Sequence, residues 1–244
     1  MINPVRFENI SKEYSGKKIL DNINFQIEEN KITSIIGRSG SGKSTILKTI
    51  NGLIKPSGGK VIVFDEAIDY SHINELRLKI GYSVQGTGLF PHMNVNDNII
   101  ILARLQKQWS INKINERTEH LMKLVSLPEN FKTKYPYQLS GGEQQRVGIC
   151  RAMMLNPRIF LLDEAFGALD PTTKNEIHKE LLNIQKTEPR TIVIVTHDLR
   201  EAFKLADKII IIDKGIIQQT GTKKEIQNSP ANDFVKYFIS SQFE

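Results

Sequence analysis

The sequence predicts an α/β protein: a mostly parallel β-sheet with helices on its faces, interrupted by a helical insert. Three observations lead there. Short apolar runs of strand length alternate with helical runs along most of the chain. A glycine-rich turn joins one of these strands directly to a helix. From about Asn96 to Met154 the strand pattern gives way to apolar residues at helical spacing.

In chain order, Val5 to Phe7 and Ile19 to Ile27 read as strands, the second through alternating Ile23, Phe25 and Ile27. Lys31 to Ile36 is a short apolar run ending at Gly37, which suits a buried parallel strand. The glycine-rich turn follows, then a helical run from Ser44 to Ile50. Lys60 to Phe64 and Ile80 to Val84 are further strands. Within the insert, Ile99, Leu102 and Leu105, then Ile111, Ile114, Leu121, Leu124 and Val125, recur at helical intervals. Strands resume at Ile159 to Leu162, Thr191 to Val195 and Lys208 to Ile212. Lys214-Gly215 then supports a two-residue hairpin into Ile216 to Gln218.

Composition bounds the class without deciding the function. With 39% hydrophobic and 25% charged residues, and only 16 Gly and 9 Pro in 244, disordered, collagenous and low-complexity classes are excluded. A chain of this length can bury its core without disulfides or metals. Cys150 is the only cysteine and cannot form an internal disulfide. The N-terminus has no apolar leader, and the longest apolar runs are far short of the roughly 20 residues a spanning helix needs. The expectation is a cytosolic chain that does not cross a bilayer alone. The formal charge of +6 comes from scattered Lys and Arg, which fits a solvated basic surface; no nucleic acid partner is expected.

Chemistry begins at Gly37-Arg38-Ser39-Gly40-Ser41-Gly42-Lys43-Ser44-Thr45, a match to G-x-x-x-x-G-K-[ST] between a predicted strand and a predicted helix. Glycines let the backbone curl so that successive N–H groups face one anion, and the helix N-terminus adds its partial positive charge. Lys43 supplies a point charge for the β- and γ-phosphates, and Ser44 offers a hydroxyl to Mg²⁺. Such a loop needs a carboxylate from the end of a neighbouring strand. Ile159-Phe160-Leu161-Leu162-Asp163-Glu164 supplies two: Asp163 would hold Mg²⁺ and Glu164 would polarise the attacking water.

Leu139-Ser140-Gly141-Gly142-Glu143-Gln144-Gln145-Arg146 adds a second feature. Ser140 and Glu143 make a capping box that opens a helix. Two glycines in a first helical turn cost roughly 1 kcal/mol each relative to alanine. They make sense if a second anion approaches the bare backbone there.

With these motifs in order, the sequence resembles the ATP-binding subunits of ABC transporters, whose signature is LSGGQ-like, over essentially the whole chain. The resemblance implies a P-loop NTPase (RecA-like) core with an inserted helical subdomain and a small antiparallel β subdomain. The α/β core would take about 1–88 and 155–221, the helical signature subdomain about 89–154, and a C-terminal helical tail 222–244. It implies ATP and Mg²⁺ as ligands and a head-to-tail pair of subunits, a homodimer in the simplest case. Each ATP would lie between one P-loop and the other subunit's Ser140, Gly141 and Gly142, so that a monomer hydrolyses poorly. The remaining partners implied are transmembrane permease subunits, with or without a solute-binding protein, on the inner face of the cell membrane.

The same resemblance assigns further residues. Tyr14 matches the aromatic that stacks on adenine; read alone it is a surface aromatic near a strand end. Gln85 matches the glutamine that links metal and water to the membrane subunit, joining Ser44 and Asp163 as a metal ligand. His197, after the strand ending at Val195, would contact the γ-phosphate; Asp198 and Glu201 then read as the cap and third residue of the next helix. Ala168-Leu169-Asp170 matches the loop that crosses the dimer interface, and Asp170-Pro171 also reads as an N-cap and first helical residue. Catalysis would therefore fall to Glu164, His197, Gln85 and Lys43. Ala165 stands where many members carry proline, a change that leaves both acids in place and loosens the turn.

Ile80 to Val95 and Ser229 to Val235 are similar to the glycine betaine, choline and related osmoprotectant importers. Leu89, Phe90 and Pro91 would lie near the contact with the membrane protein, unless Leu89 and Phe90 are simply buried packing. The sequence stops at Glu244 without the C-terminal regulatory domains many such ATPases carry, which argues against osmotic gating by such a domain. The alternatives are another ABC importer or exporter, or a soluble ABC ATPase acting on nucleic acid or ribosomes. Against the last, the stretch from Lys43 to Ser140 lacks sustained heptads and the chain has a single P-loop and a single signature.

Overall fold

A computed structural model describes residues 3–86 and 88–242; Met1, Ile2, Thr87 of the Ile80–Val95 stretch, Phe243 and the terminal Glu244 lie outside them. The chain opens with β1 (Val5–Tyr14), β2 (Lys17–Ile27), β3 (Ile32–Ile36), α1 (Lys43–Ile50), β4 (Gly58–Val63) and the short β5 (Glu66–Ala67). There follow α2 (Ile73–Leu78), β6 (Ile80–Ser83), α3 (Val95–Gln106), α4 (Ile111–Leu124), α5 (Gly141–Met153), β7 (Ile159–Asp163) and α6 (Pro171–Thr187). The chain closes with β8 (Thr191–Thr196), α7 (Leu199–Leu205), β9 (Lys208–Asp213), β10 (Ile216–Gly221), α8 (Lys223–Asn228) and α9 (Asp233–Ser240). These elements form two compact units, residues 1–77 with 189–244, and residues 78–188.

In the first unit, β2, β1, β4 and β5 form an antiparallel sheet in that order. Strand β1 runs seven residues beyond the predicted end at Phe7 because Asn9 takes a positive φ of 53° and shifts the register, which breaks the alternation that sequence reading depends on. Ser15 and Gly16, both at positive φ, turn β1 into β2. A second row, β10-β9-β3-β8, pairs β3 in parallel with β8 and β9, and β9 with β10 through the expected Lys214-Gly215 hairpin. Every residue of β3 is buried, as expected of a strand covered on both faces. Ile36, at its end, lies in a core with Leu199 and Phe203 of α7, Ile209 and Ile211 of β9, Ile226 of α8, and Val235 and Phe238 of α9.

The second unit pairs β6 with β7 in parallel, Ile80 opposite Ile159. Helices α3, α4 and α5 bury Ile99, Ala103, Ile114, Leu121, Val147 and Cys150. Leu105 and Ile111, counted in the helical pattern, are exposed at the facing ends of α3 and α4. Cys150 is wholly buried, and burial pushes its thiol pKa well above the ordinary value. Asn98 is the buried polar residue of α3: its side chain accepts from Phe90 N at 2.8 Å and donates to Phe90 O and Met93 O at 3.1 and 2.9 Å, fastening the loop after β6 to the helix. No helix among the described residues is long and apolar enough to cross a membrane.

Gly81 shows how tightly β6 is packed. A Cβ there would collide with the carbonyl oxygen of Ala152 and sit 2.7 Å from Pro157 Cγ. Backbone cannot yield as a side chain does, so Gly81→Ala is expected to cost about 1–3 kcal/mol of stability. Chemical denaturation would measure it; an unshifted midpoint contradicts this packing.

Candidate functional site

In the first unit the phosphate loop leaves β3 and enters α1. Gly37 has no room for a Cβ, which would meet the carbonyl oxygen of Ile212. Gly40 and Gly42 sit at φ of 77° and 104°, in the region that side chains disfavour. Ser41 N donates to Arg38 O at 3.2 Å and Gly215 N donates to Ser41 O at 3.1 Å, so the hairpin of β9 and β10 supports the loop. The N-cap of α1 is Gly42, which offers no side chain to the first-turn N–H groups and leaves that end suited to an anion. Lys43 is only 5% exposed, and its Nζ donates to Gly37 O and Arg38 O, both at 2.9 Å. Arg38, Ser39 and Gly40 are exposed, while Ser44 and Thr45 are half-buried in the first turn of α1.

Tyr14 and His197 belong to the same unit. Tyr14 closes β1, is 47% exposed, and carries Lys12 Nζ 4.7 Å above its ring. A flat, accessible ring is what a stacking residue requires. His197 is exposed immediately after β8, and Asp198 caps α7 by accepting from Arg200 N and Glu201 N.

The second unit holds the acids. Asp163 ends β7 at 1% exposure and accepts from Tyr82 Oη at 3.0 Å. Burial, then the Asp163 charge, raise the Tyr82 pKa, so the phenol remains a donor. Glu164 follows at a φ of 49°, a left-handed conformation that is rare for an acid and costs of order 1 kcal/mol. Three hydrogen bonds hold it there. Gln85 Nε2 donates to Glu164 Oε2 at 3.0 Å, Gln145 Nε2 donates to Glu164 O at 3.0 Å, and Gly167 N donates to Glu164 O at 3.2 Å. Gln145 also accepts from Ala168 N at 3.2 Å, so one buried side chain on α5 holds both ends of the turn after β7. Ala165 is fully buried within that turn.

Gln145 is the residue that sequence reading passes over. A glutamine in the second turn of a helix ordinarily faces water, and its place within the signature stretch is the one hint otherwise.

At the start of α5, the capping box forms as expected. Ser140 Oγ accepts from Glu143 N at 3.3 Å, and Glu143 Oε2 accepts from Ser140 N at 2.6 Å. Gly142 packs beneath the Ala168-Leu169 segment, where a Cβ would come 3.2 Å from Ala168 O. A Cβ on Gly141 would meet nothing within 4 Å, so packing within the chain does not require that glycine. Asp170 caps α6 by accepting from Thr172 N and Thr173 N at 3.1 and 3.0 Å. Phe90 is 41% exposed, with Arg151 over its ring at 5.6 Å, which removes it from buried packing; Leu89 is half-buried.

A phosphate loop between a buried parallel strand and a helix, on this α/β architecture, defines the P-loop NTPase fold class. The chain belongs to the ABC transporter family, whose sequence profile matches residues 20–167. It is 45% identical over 236 residues to the carnitine transport ATP-binding protein OpuCA of Listeria monocytogenes, covering 96% of this chain and 59% of that protein. It is 42% identical over 235 residues to the glycine betaine uptake system ATP-binding protein YehX of Escherichia coli, covering 96% and 76%. The ATP-binding cassette MJ0796, in a dimeric post-hydrolysis structure bound to ADP and Pi, superposes with a TM-score of 0.84 at 33% identity over 89% of this chain and 98% of that one. The chain thus spans about three-fifths of the length of the carnitine relative.

Proposed function

We propose that this chain is the ATP-hydrolysing subunit of an ABC importer for a small solute, most closely of the quaternary-amine osmoprotectant kind. The observation that carries hydrolysis is the Glu164 carboxylate, fixed by Gln85 beside the buried Asp163. A base must be aimed before it is useful, and two glutamines aim this one. The similarity over 96% of the chain to carnitine and glycine betaine ATP-binding proteins supports the solute class.

In this reading, the N–H groups of Gly40 to Thr45 and the Lys43 ammonium bind the phosphates, and Tyr14 stacks on the adenine. Glu164 orients and polarises the attacking water, and His197 contacts the γ-phosphate. The Ser44 hydroxyl, the Asp163 carboxylate and the Gln85 amide oxygen are all hard oxygen donors and fit Mg²⁺. Gln85 spends its Nε2 on Glu164, which leaves its oxygen for a cation. Held by such donors, Mg²⁺ would supply positive charge to offset the negative charge that develops on the phosphates. Ser140, Gly141 and Gly142 complete the site of a second copy, with Asp170 at the same interface; the open space at Gly141 supports an incoming anion from outside the chain. Membrane subunits would hold the chain on the inner face of the membrane, with or without a solute-binding protein, near Gln85 and the exposed Phe90.

Gentle affinity purification of the tagged chain from native membranes, followed by mass spectrometry, tests the transport claim. A polytopic membrane protein should accompany it and would identify the subunit that selects the solute. Recovery only from the soluble fraction, with ribosomal or DNA-associated partners, would leave the ATPase standing and remove the importer.

A further inference from the structure

The C-terminal helix α9 reaches the phosphate loop by two routes within its own unit. Its buried face, Val235 and Phe238, packs in the core that includes Ile36, the last residue of β3 before the loop. Its half-buried Phe234 lies under the side chain of Arg38, guanidinium carbon 5.4 Å from the ring centroid, and stacks on Phe238 at 5.9 Å. Arg38 is not a passive loop residue. Its carbonyl oxygen accepts both Ser41 N, at 3.2 Å, and Lys43 Nζ, at 2.9 Å. One peptide oxygen therefore forms the turn of the loop and holds the ammonium that awaits the phosphates.

An exposed arginine with four rotatable bonds would ordinarily leave this residue loosely held. A guanidinium laid on an aromatic face is restrained while its N–H edge stays available. Fixing the side chain limits the conformations open to Arg38, and a loop already in its binding shape loses less freedom when nucleotide arrives.

We propose that Phe234 is a positioning residue for nucleotide binding: through Arg38 it preorganises the phosphate loop, so that the C-terminal helix helps set affinity for ATP. The inference rests on the P-loop reading above. It predicts that the aromatic face, and not merely apolar volume, matters at position 234. A cation–π contact of this exposure corresponds to about a two- to fivefold change in equilibrium constant.

The test is ATP binding to the full-length protein by titration calorimetry with Mg²⁺ present, alongside steady-state kinetics and thermal melting. Phe234→Leu keeps the packing and loses the ring; it should raise the dissociation constant about two- to fivefold, acting on KM more than on kcat. Phe234→Tyr should bind like the wild type. Arg38→Ala should reproduce the leucine effect, and the double variant should be no weaker than the worse single one. Wild-type affinity in Phe234→Leu, or effects of the two substitutions that multiply, would overturn the proposal. Should Phe234→Leu fail to fold, wild-type affinity in Arg38→Ala would do the same. Lys43→Ala separates the two levels: if it binds ATP normally the P-loop reading itself fails, whereas if it loses binding while Phe234→Leu does not, only the role of α9 is lost.

Discussion

Glu164→Gln is expected to bind ATP as the wild type does and to hydrolyse it about 10²–10⁴-fold more slowly. The substitution keeps the shape of the side chain and removes its capacity to accept a proton. Its effect should fall on the chemical step, because no phosphate-binding group is touched. Gln85 Nε2 can still donate to the side-chain oxygen of a glutamine, and Gln145 and Gly167 still hold the backbone carbonyl. The altered residue should therefore stay in place, with the left-handed backbone intact. With hydrolysis blocked, nucleotide should hold two copies together, visible as an ATP-dependent dimer by light scattering. Single-turnover hydrolysis measures the defect directly; a wild-type rate would remove Glu164 from the role of base.

Lys43→Ala should weaken ATP binding about 10- to 100-fold, since a hydrogen bond from a charged group contributes about 1.5–3 kcal/mol. Lys43 is buried and already engaged with Gly37 O and Arg38 O, so its ammonium need only exchange those carbonyls for phosphate oxygens. Removing it strips charge from the cradle and leaves two carbonyls to be satisfied otherwise. Titration of the variant with ATP in the Glu164→Gln background, where nucleotide is not consumed, gives the clean measurement. Unaltered affinity there would mean that phosphates bind elsewhere.

Local chemistry was the most legible part of this molecule. The glycine-rich loop, the Ser140–Glu143 capping box, the Asp170 and Asp198 caps and the Lys214-Gly215 hairpin each depend on residues within a few positions of one another, and each forms as read. Buried strands announced themselves through short apolar runs, continuous from Ile159 to Leu162 in β7 and broken by Thr33 and Ser34 in β3. Features set by distant residues did not. Strand β1 past Phe7 is polar and irregular, and it pairs only because β2 and β4 lie on either side of it. The left-handed backbone at Glu164 contradicts local preference and is imposed by Gln145, 19 positions away. Periodicity draws a helical run from about Asn96 to Met154, and compactness groups the helices α3 to α5 with β6, β7 and α6 in residues 78–188, a grouping that spacing along the chain does not express. Spacing along the chain reports which face a residue shares, and only packing reports which strands travel with which helices.

The seclusion of Cys150 has a practical side. A thiol that is wholly enclosed and held protonated does not react with maleimides, since the thiolate is the nucleophile. The native chain should therefore stay blank toward such dyes while folded and become labelled only on unfolding. A single cysteine installed at an exposed site, Tyr137 or Tyr237 for instance, would carry one fluorophore per molecule without removing any natural residue from the core. Energy transfer between two labelled copies could then follow, in real time, how far apart they stand as nucleotide comes and goes.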